Sequence, residues 1–493
     1  MDIVKSFFSE WFSVSQGLIN FPSVQYIIMF SILYTFYTIF YKNDIVRVAL
    51  LLGFSLYIYY RLSGFGILIL LLLSASDFII AKQIAGAVEQ HRKNILLACS
   101  IILNLATLGY FKYSNFFLSQ YQSIVSPGNI FVPMMIAAPI GISYYVFKSL
   151  GYVIDTHRGI IEEPERKFTI YLLYTSFFPT IIAGPISRSR ELLPQFHRKP
   201  VLTNYDTSRA FILIMSGVFK KIVIADFIAV NFLDRVLDTP NYFSGLECFF
   251  ALIAAPIQVY YDFSGYTDIA LGIALLLGFE IKNNFNLPFH AKTVTEFWRR
   301  WHITLLDWFN EYIFTPLNFR LRTWRKSAAV IAIMVTFLLS GIWHGAAWTF
   351  IMWGLLHGTM IVIEHLTVRW RSSGKNVIIK ERSWAVIAFI FIAASFILFK
   401  SNSIGSALSL LGKIPDGFSP DLMMQWMDIY YGVFIAIVAG YVLHFLPEQY
   451  EITIGRKFSK LSRLKQAVLI AIAGYAIYQV GSADTKPFIY LKF

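Results

Sequence analysis

Glu296–Thr304 reads EFWRRWHIT, and Ser340–Trp348 reads SGIWHGAAW. The first stretch sets two arginines, two tryptophans and a histidine side by side in a chain otherwise dominated by apolar residues. The second places His344 between Trp343 and Gly345 inside an apolar run. Ionisable groups are expensive in lipid, and where they occur they mark a pathway, a site or an interfacial anchor. These two stretches therefore raise two linked questions: whether the surroundings are membrane, and what the polar groups do there.

The surroundings answer the first. Of 493 residues, 57% are hydrophobic, 17% aromatic and 14% charged, and the mean hydropathy is +0.59. An ordinary soluble protein carries about 25% charged residues. Apolar runs recur from end to end, so residues 1–493 read as a single all-α polytopic membrane domain in a lipid bilayer. The 42 basic and 29 acidic residues leave a charge of +13. The basic residues cluster in short gaps between apolar runs, as orientation signals do. No basic and aromatic surface module stands apart from the spans, so no nucleic-acid partner is expected. Cys99 and Cys248 lack metal-ligand spacing and read as small buried hydrophobes. The opening MDIVKSFFSEWF has no cleavable signal pattern and reads as an amphipathic lead-in on the interface.

Candidate spans are Val24–Tyr41, Ile45–Tyr60, Gly64–Ala81, Ile95–Leu118, Val132–Ile154, Phe168–Ile186, Ala210–Val230, Leu246–Gly278, Ser327–Ile342, Ala346–Leu366, Trp384–Lys400, Ile429–Phe445 and Gln466–Gly481. Leu246–Gly278 is long enough for two. Several are shorter than the roughly 20 residues a perpendicular helix needs, so the expectation is about ten to twelve crossings, some of them tilted, re-entrant or broken. His91–Lys93, Arg369–Arg382 and Arg456–Lys465 are basic and belong in the cytoplasm. Ser119–Asn129 and Ser401–Gln425 suit the outside, which leaves the C-terminus extracytoplasmic. Alternation fails around Phe168–Ile186, because the flanks Glu162–Lys167 and Arg188–Lys199 both look cytoplasmic. Pro179, Gly184 and Pro185 break helices within it. Irregular backbone at membrane depth requires burial in protein or a wet cavity, so this segment is expected to be re-entrant.

The polar residues then fall into groups. Gly341 and Gly345 flank His344 at a spacing that permits close helix approach and leaves room for a ligand beside the imidazole. Histidine suits general-base work near neutral pH, and the competing reading is a hydrogen-bonded core histidine. His302 follows Arg299 and Arg300, whose charge favours its neutral form. His357 lies 13 residues beyond His344, some 60° away and about 20 Å along a straight helix, and reads as structural. Tyr260, Tyr261, Asp262, Ser264, Tyr266 and Asp268 interrupt an apolar run. Their carboxylates need partners, with Arg299 and Arg300 available, either as an ion-pair network or as part of a site. Arg299, Arg300 and Lys282 are candidates to hold phosphate groups, with Trp298, Trp301, Trp343, Asn283 and Asp262 as further binding candidates. No HxxxH, HxxE or CxxC pair falls near these residues, so no metal is expected. A GxSxG elbow and phosphate-binding glycine loops are also missing.

In this order the residues resemble the membrane-bound O-acyltransferase family, in its bacterial alginate O-acetylation branch. The strings that carry the resemblance are PIGISYYVFKSLGYVIDTHRG (Pro139–Gly159), FFPTIIAGPISRSRELLPQF (Phe177–Phe196), YYDFSGYTDIALGIALLLGFEIKNNFNLPF (Tyr260–Phe289), EFWRRWHITL and LLSGIWHGAAWTFIMWGLLHG, which span most of residues 100–360. The resemblance implies catalysis at His344 with His302 as second histidine. It also implies an acyl group moved from a cytoplasmic thioester, acetyl-CoA or an acyl-carrier protein, to a hydroxyl through a membrane tunnel, with no permanently bound cofactor. The tail PFIYLKF, within residues 484–493, resembles an aromatic tail of this branch and makes Tyr490 a candidate acyl relay; an interfacial anchor is the competing reading. The implied partner is a periplasmic or surface SGNH-type transferase, and the implied location the bacterial inner membrane. FTPLNFRLRTWRKS (Phe314–Ser327) departs from the alginate-type pattern, so the acceptor need not be alginate. D-alanyl transfer, peptidoglycan O-acetylation and a non-enzymatic transporter are the alternatives, although a transporter would suit inverted repeats, of which the sequence shows none.

Overall fold

The structure is a computed structural model that describes residues 24–126, 133–134, 138–371, 377–416, 420–447 and 449–480. Among the described residues every regular element is helical. A chain this apolar has to satisfy its own backbone N–H and C=O groups within each segment, and helices do so. The residues gather into two compact units, Met1–Thr203 with Ile273–Lys282, and Asn204–Gly272 with Asn283–Phe493.

In the first unit α1 (Val24–Phe40), α2 (Asp44–Ser63), α3 (Gly66–Gly86), α4 (Gln90–Leu108) and α5 (Ser114–Val125) follow one another. Asn43 starts α2 by accepting hydrogen bonds from the N–H groups of Ile45 and Val46, at 3.1 and 3.2 Å. A π-helical turn at Gly109–Tyr113 joins α4 to α5, giving one apolar run over Gln90–Val125. Buried Asp77 of α3 accepts from Ser100 Oγ at 2.6 Å and Asn104 Nδ2 at 2.8 Å. Cys99, expected inside, is exposed, whereas Cys248 of the second unit is buried. The run that carries Cys99 is itself mostly exposed, so the whole face looks outward.

After α6 (Ile142–His157), Phe168–Ile186 is broken, as its prolines and glycine require. Only α7 (Phe168–Ser176) is helical before the chain turns irregular and reaches α8 (Ser189–Phe196). Every residue from Ile170 to Ser189 is buried, which is the condition for irregular backbone at membrane depth. Gly141 shows how tightly this segment is held: its φ is +74° and a Cβ there would collide with the carbonyl oxygen of Ile181.

The second unit opens with α9 (Asn204–Phe219), which continues as π-helical turns at Lys220–Asp226 and Ala229–Leu233. Next comes α10 (Gly245–Leu276). The stretch Leu246–Gly278, long enough for two crossings, holds one helix of 32 residues with Pro256 inside it. Gly217 and Gly265 face each other so closely that a Cβ on either would meet the other's carbonyl oxygen. Short helices α11 (Val294–Arg300) and α12 (Ile303–Phe309) lead to α13 (Lys326–His344), α14 (Trp348–Arg371), α15 (Val377–Lys400) and α16 (Ile404–Lys413). The chain ends in α17 (Pro420–Ile429), α18 (Tyr431–Phe445), α19 (Gln449–Ser459) and α20 (Arg463–Val480).

Among the described residues, seven helices are long and apolar enough to cross a membrane, or eight if Met423–Ile429 and Tyr431–Phe445, bent by 92°, count as one broken span. This is a multi-pass membrane protein. The number falls below the ten to twelve expected because several apolar stretches do not form unbroken helices. Phe168–Ile186 is mostly irregular, Ala210–Val230 is cut by π turns, and α1 has 17 residues.

Candidate active site

The candidate residues of the second unit converge where α11, α12, α13 and α14 meet. Thr293 caps α11, its hydroxyl accepting from the Glu296 N–H at 3.0 Å, while the Glu296 carboxylate accepts from the Lys292 N–H at 2.9 Å. This is a variant of the reciprocal capping box, in which the acid reaches one residue further back. Glu364 of α14 reinforces the cap. Its carboxylate accepts from the N–H groups of Val294 (2.7 Å) and Thr295 (2.8 Å), from Thr295 Oγ1 (2.6 Å) and from Trp384 Nε1 (2.9 Å).

The other end of α11 is fixed by Asn284–Asn286. The Asn286 N–H donates to the Arg300 carbonyl and the Ile303 N–H to the Asn284 carbonyl, both at 2.9 Å. Asn284 Oδ1 also accepts from Thr304 Oγ1 at 2.6 Å. Between these anchors His302 takes φ +44° and ψ +51° and opens α12. A left-handed conformation at a non-glycine residue is strained and persists only where the surroundings over-determine it. Here they do.

His302 is fully buried. Its ring meets Phe263 edge-on at 4.7 Å between centroids and Trp343 at 6.1 Å. Burial lowers its pKa below the ordinary imidazole value, which keeps the ring neutral. The cause differs from the arginine charge expected from the sequence. Arg300 pairs with Glu296 at 3.0 Å, and loss of water alone shifts His302.

His344 ends α13, buried, with Trp343 at 5.1 Å, Trp353 at 4.9 Å and Phe399 at 5.3 Å from its ring. The two histidines thus share Trp343 as a neighbour. The glycines beside His344 do allow close approach, since a Cβ on Gly341 would fall on the Phe350 carbonyl and one on Gly354 on the Phe337 carbonyl. The expected room for a ligand at Gly345 is absent, because the Phe350 ring occupies it. The straight-helix separation of His344 and His357 also fails. The chain turns at Gly345–Ala347 and α14 returns along α13, so both imidazoles touch Trp353, at 4.9 and 4.7 Å.

His357 is a joint. Trp298 Nε1 donates to its Nδ1 at 3.1 Å. An indole nitrogen only donates, so the ring proton sits on Nε2 and is given to Ser395 Oγ at 3.0 Å. Ser395 passes its own proton to the Ile392 carbonyl at 2.7 Å. With both nitrogens committed, His357 orients Trp298, which lies 5.5 Å from Trp353.

Other expected residues are placed differently. Trp301 is buried among Phe285, Phe297 and Phe396, as core packing. Arg300 donates to Glu296 and to the Asn286 carbonyl, which ties up its fork; Arg299, Lys282 and Asn283 are exposed. The carboxylates of α10 find lysines rather than arginines. Lys221 bonds Asp262 at 2.6 Å and Asp226 at 2.8 Å, and Lys220 bonds Asp268 at 2.5 Å. The π register explains the choice. Residues five apart share a face there, which brings Lys221 onto Asp226 while Lys220 and Lys221 both reach α10. Tyr490 and residues 484–493, like residues 1–23, lie outside the described residues. Among the described residues no group of three His, Cys, Asp or Glu side chains is arranged to hold a metal ion.

The sequence reading missed Glu364 and Trp353. Glu364 is the single acid of Trp348–Arg371, and that isolation is the signal that could have found it.

Comparison with known proteins bears on this site. Residues 166–405, which contain both histidines, match the model of the membrane-bound O-acyltransferase family. The probable alginate O-acetylase AlgI of Azotobacter vinelandii is 35% identical over 66% of this chain and 63% of its own length. The peptidoglycan O-acetyltransferase of Helicobacter pylori is 32% identical over 68% and 67%, and the teichoic acid D-alanyltransferase of Bacillus subtilis 28% identical over 57% and 71%. The matched stretch thus spans less than two thirds of the Azotobacter relative.

Proposed function

The chain belongs to the membrane-bound O-acyltransferase family, and on that premise we propose that it moves an acetyl group from a cytoplasmic thioester, acetyl-CoA, across the membrane for O-acetylation of an exported polysaccharide. The observation that supports this most is the enclosure of two buried imidazoles, His302 and His344, around Trp343. Neutral imidazole in a water-poor, ring-lined site is a proton acceptor that does not waste its acyl donor on water.

In the proposed reaction His344 accepts the proton of an incoming hydroxyl as its oxygen bonds to the thioester carbonyl carbon. The carbonyl electron pair moves onto oxygen. When it returns, the C–S bond breaks, and the thiolate takes the proton back from His344. The hydroxyl belongs to Tyr490, which then passes the acetyl group to a periplasmic or surface SGNH-type partner, or to the final acceptor directly. His302 is the supporting histidine, Arg299 and Lys282 remain candidates for the donor phosphates, and no permanently bound cofactor takes part.

Acetyl transfer to a glycan is preferred because the relatives in alginate and peptidoglycan O-acetylation match more of this chain than the D-alanyltransferase does. D-alanyl transfer from a carrier protein is the second reading, favoured by that relative. Purified protein in detergent with labelled acetyl-CoA tests the first: wild type should hydrolyse or self-acylate with donor, and His344→Ala should not. Equal turnover by His344→Ala removes the general base. Mass spectrometry of the C-terminal peptide tests the relay, and an unmodified Tyr490 under trapping conditions rejects it.

A further inference from the structure

We infer that Trp353 supplies, through its indole N–H, the hydrogen bond that holds negative charge on the acyl carbonyl oxygen while His344 moves the proton. This rests on the acyl-transfer reading above. Trp353 is 2% exposed and its Nε1 is buried without a hydrogen-bond partner. A buried donor left unpaired is costly, and native structures carry few of them.

Three of the four rings around it offer the donor nothing to bond. Trp353 lies against Trp298, His344, His357 and Phe399, at 5.5, 4.9, 4.7 and 5.3 Å between ring centroids. Phe399 offers no acceptor, and Trp298 is itself a donor. The Nδ1 acceptor of His357 is already taken by Trp298, and its Nε2 carries the proton given to Ser395. The His357 joint therefore does two things. It fixes the indole beside Trp353, and it has no lone pair left to offer Trp353.

The ring that carries this reserved donor stands edge-on to His344, at 87°. A general base and a single preorganised donor on one reacting centre are what acyl transfer needs. As the hydroxyl oxygen bonds to the carbonyl carbon, the π pair moves to the carbonyl oxygen, which accepts from Trp353 Nε1–H. Collapse returns the pair, expels the thiolate and releases the hydrogen bond. A donor that strengthens as charge develops acts on rate more than on binding.

The test uses full-length protein in detergent and a ketone analogue of acetyl-CoA, acetonyl-CoA, labelled with carbon-13 at the carbonyl. Isotope-edited infrared spectra should show the bound carbonyl stretch at lower frequency in wild type than in Trp353→Phe. In the same variant kcat should fall roughly 10²-fold, the effect of removing one oxyanion donor. KM for acetyl-CoA should stay within about twofold. Trp426, whose Nε1 is also buried and unpartnered but which stacks on Phe250, provides the control, and Trp426→Phe should leave both readouts alone. Should Trp353→Phe not fold, Trp353→3-benzothienylalanine keeps the ring shape without the N–H. An unchanged stretch and kcat in either Trp353 variant overturns the inference alone. A wild-type protein that neither binds the analogue nor turns over acetyl-CoA overturns the acyl-transfer reading, and this inference with it.

Discussion

Two clusters of the second unit keep polar groups inside an apolar protein by opposite means. Where α9 meets α10, charge answers charge: Lys221 sits between Asp226 and Asp262, and Lys220 meets Asp268. Where α12, α13 and α14 meet, imidazoles are walled by indoles and phenyl rings, and burial keeps His302 neutral. The first arrangement has its attractions already spent within the fold, since breaking one partner of a buried pair strands the other charge. The second keeps one buried indole N–H, that of Trp353, without a hydrogen-bond partner. Damage should therefore appear first as lost stability in one cluster and as lost rate in the other.

The sharpest separation comes from His344→Ala, expected to lower acetyl turnover by about 10²–10⁴-fold, the usual worth of a positioned acid or base, with little change in the unfolding midpoint in detergent. A large fall in midpoint with turnover retained would reverse the roles of the two clusters. Lys221→Met should do the opposite, destabilising by about 3–5 kcal/mol as Asp262 and Asp226 lose their common cation. Adding Asp262→Asn should recover part of that loss, measured by thermal unfolding; failure to recover would mean the pair does not act as a network. Gly341→Ala probes the backbone contact behind His344. Its methyl would strike the Phe350 carbonyl, at a cost of about 1–3 kcal/mol together with lost turnover as His344 shifts.

The smallest expected effect is a pH dependence. His302 has a pKa lowered by burial, so below its ordinary value of 6.5 the unfolded chain binds a proton that the folded chain refuses. Its contribution to stability is complete above that value and is lost as pH falls from there toward the folded pKa. His302→Gln should flatten this slope between neutral and mildly acid pH; an unaltered slope would place the titration elsewhere.

How much of this could be read from the chain depends on the distance over which each feature is determined. The helical membrane architecture, the buried irregular segment at Phe168–Ile186 and the glycine contact at Gly341 follow from local composition, and local composition is what a sequence displays. Helix breaks inside apolar stretches were less legible, because π turns at Lys220–Asp226 leave hydropathy unchanged. Ion-pair partners were misassigned for the same reason. The register that brings Lys220 and Lys221 to Asp268 and Asp262 is set by backbone geometry between positions more than 40 apart in the chain. The histidines stood out singly, since each interrupts a greasy run. Trp353 did not, because one tryptophan among apolar neighbours looks like packing until its N–H is found with nothing to bond.

Glu364 carries a consequence for how the chain is made. Its carboxylate would be costly to place in lipid without donors, and it takes three from Val294 and Thr295. Those residues leave the ribosome about seventy positions earlier, while another donor, Trp384, emerges only twenty later. Synthesis runs from the N-terminus, and earlier segments are ready first. The short α11 is therefore present to receive α14 as it enters the bilayer. Shortening it should show up as misinserted protein during translation, before any question of catalysis arises.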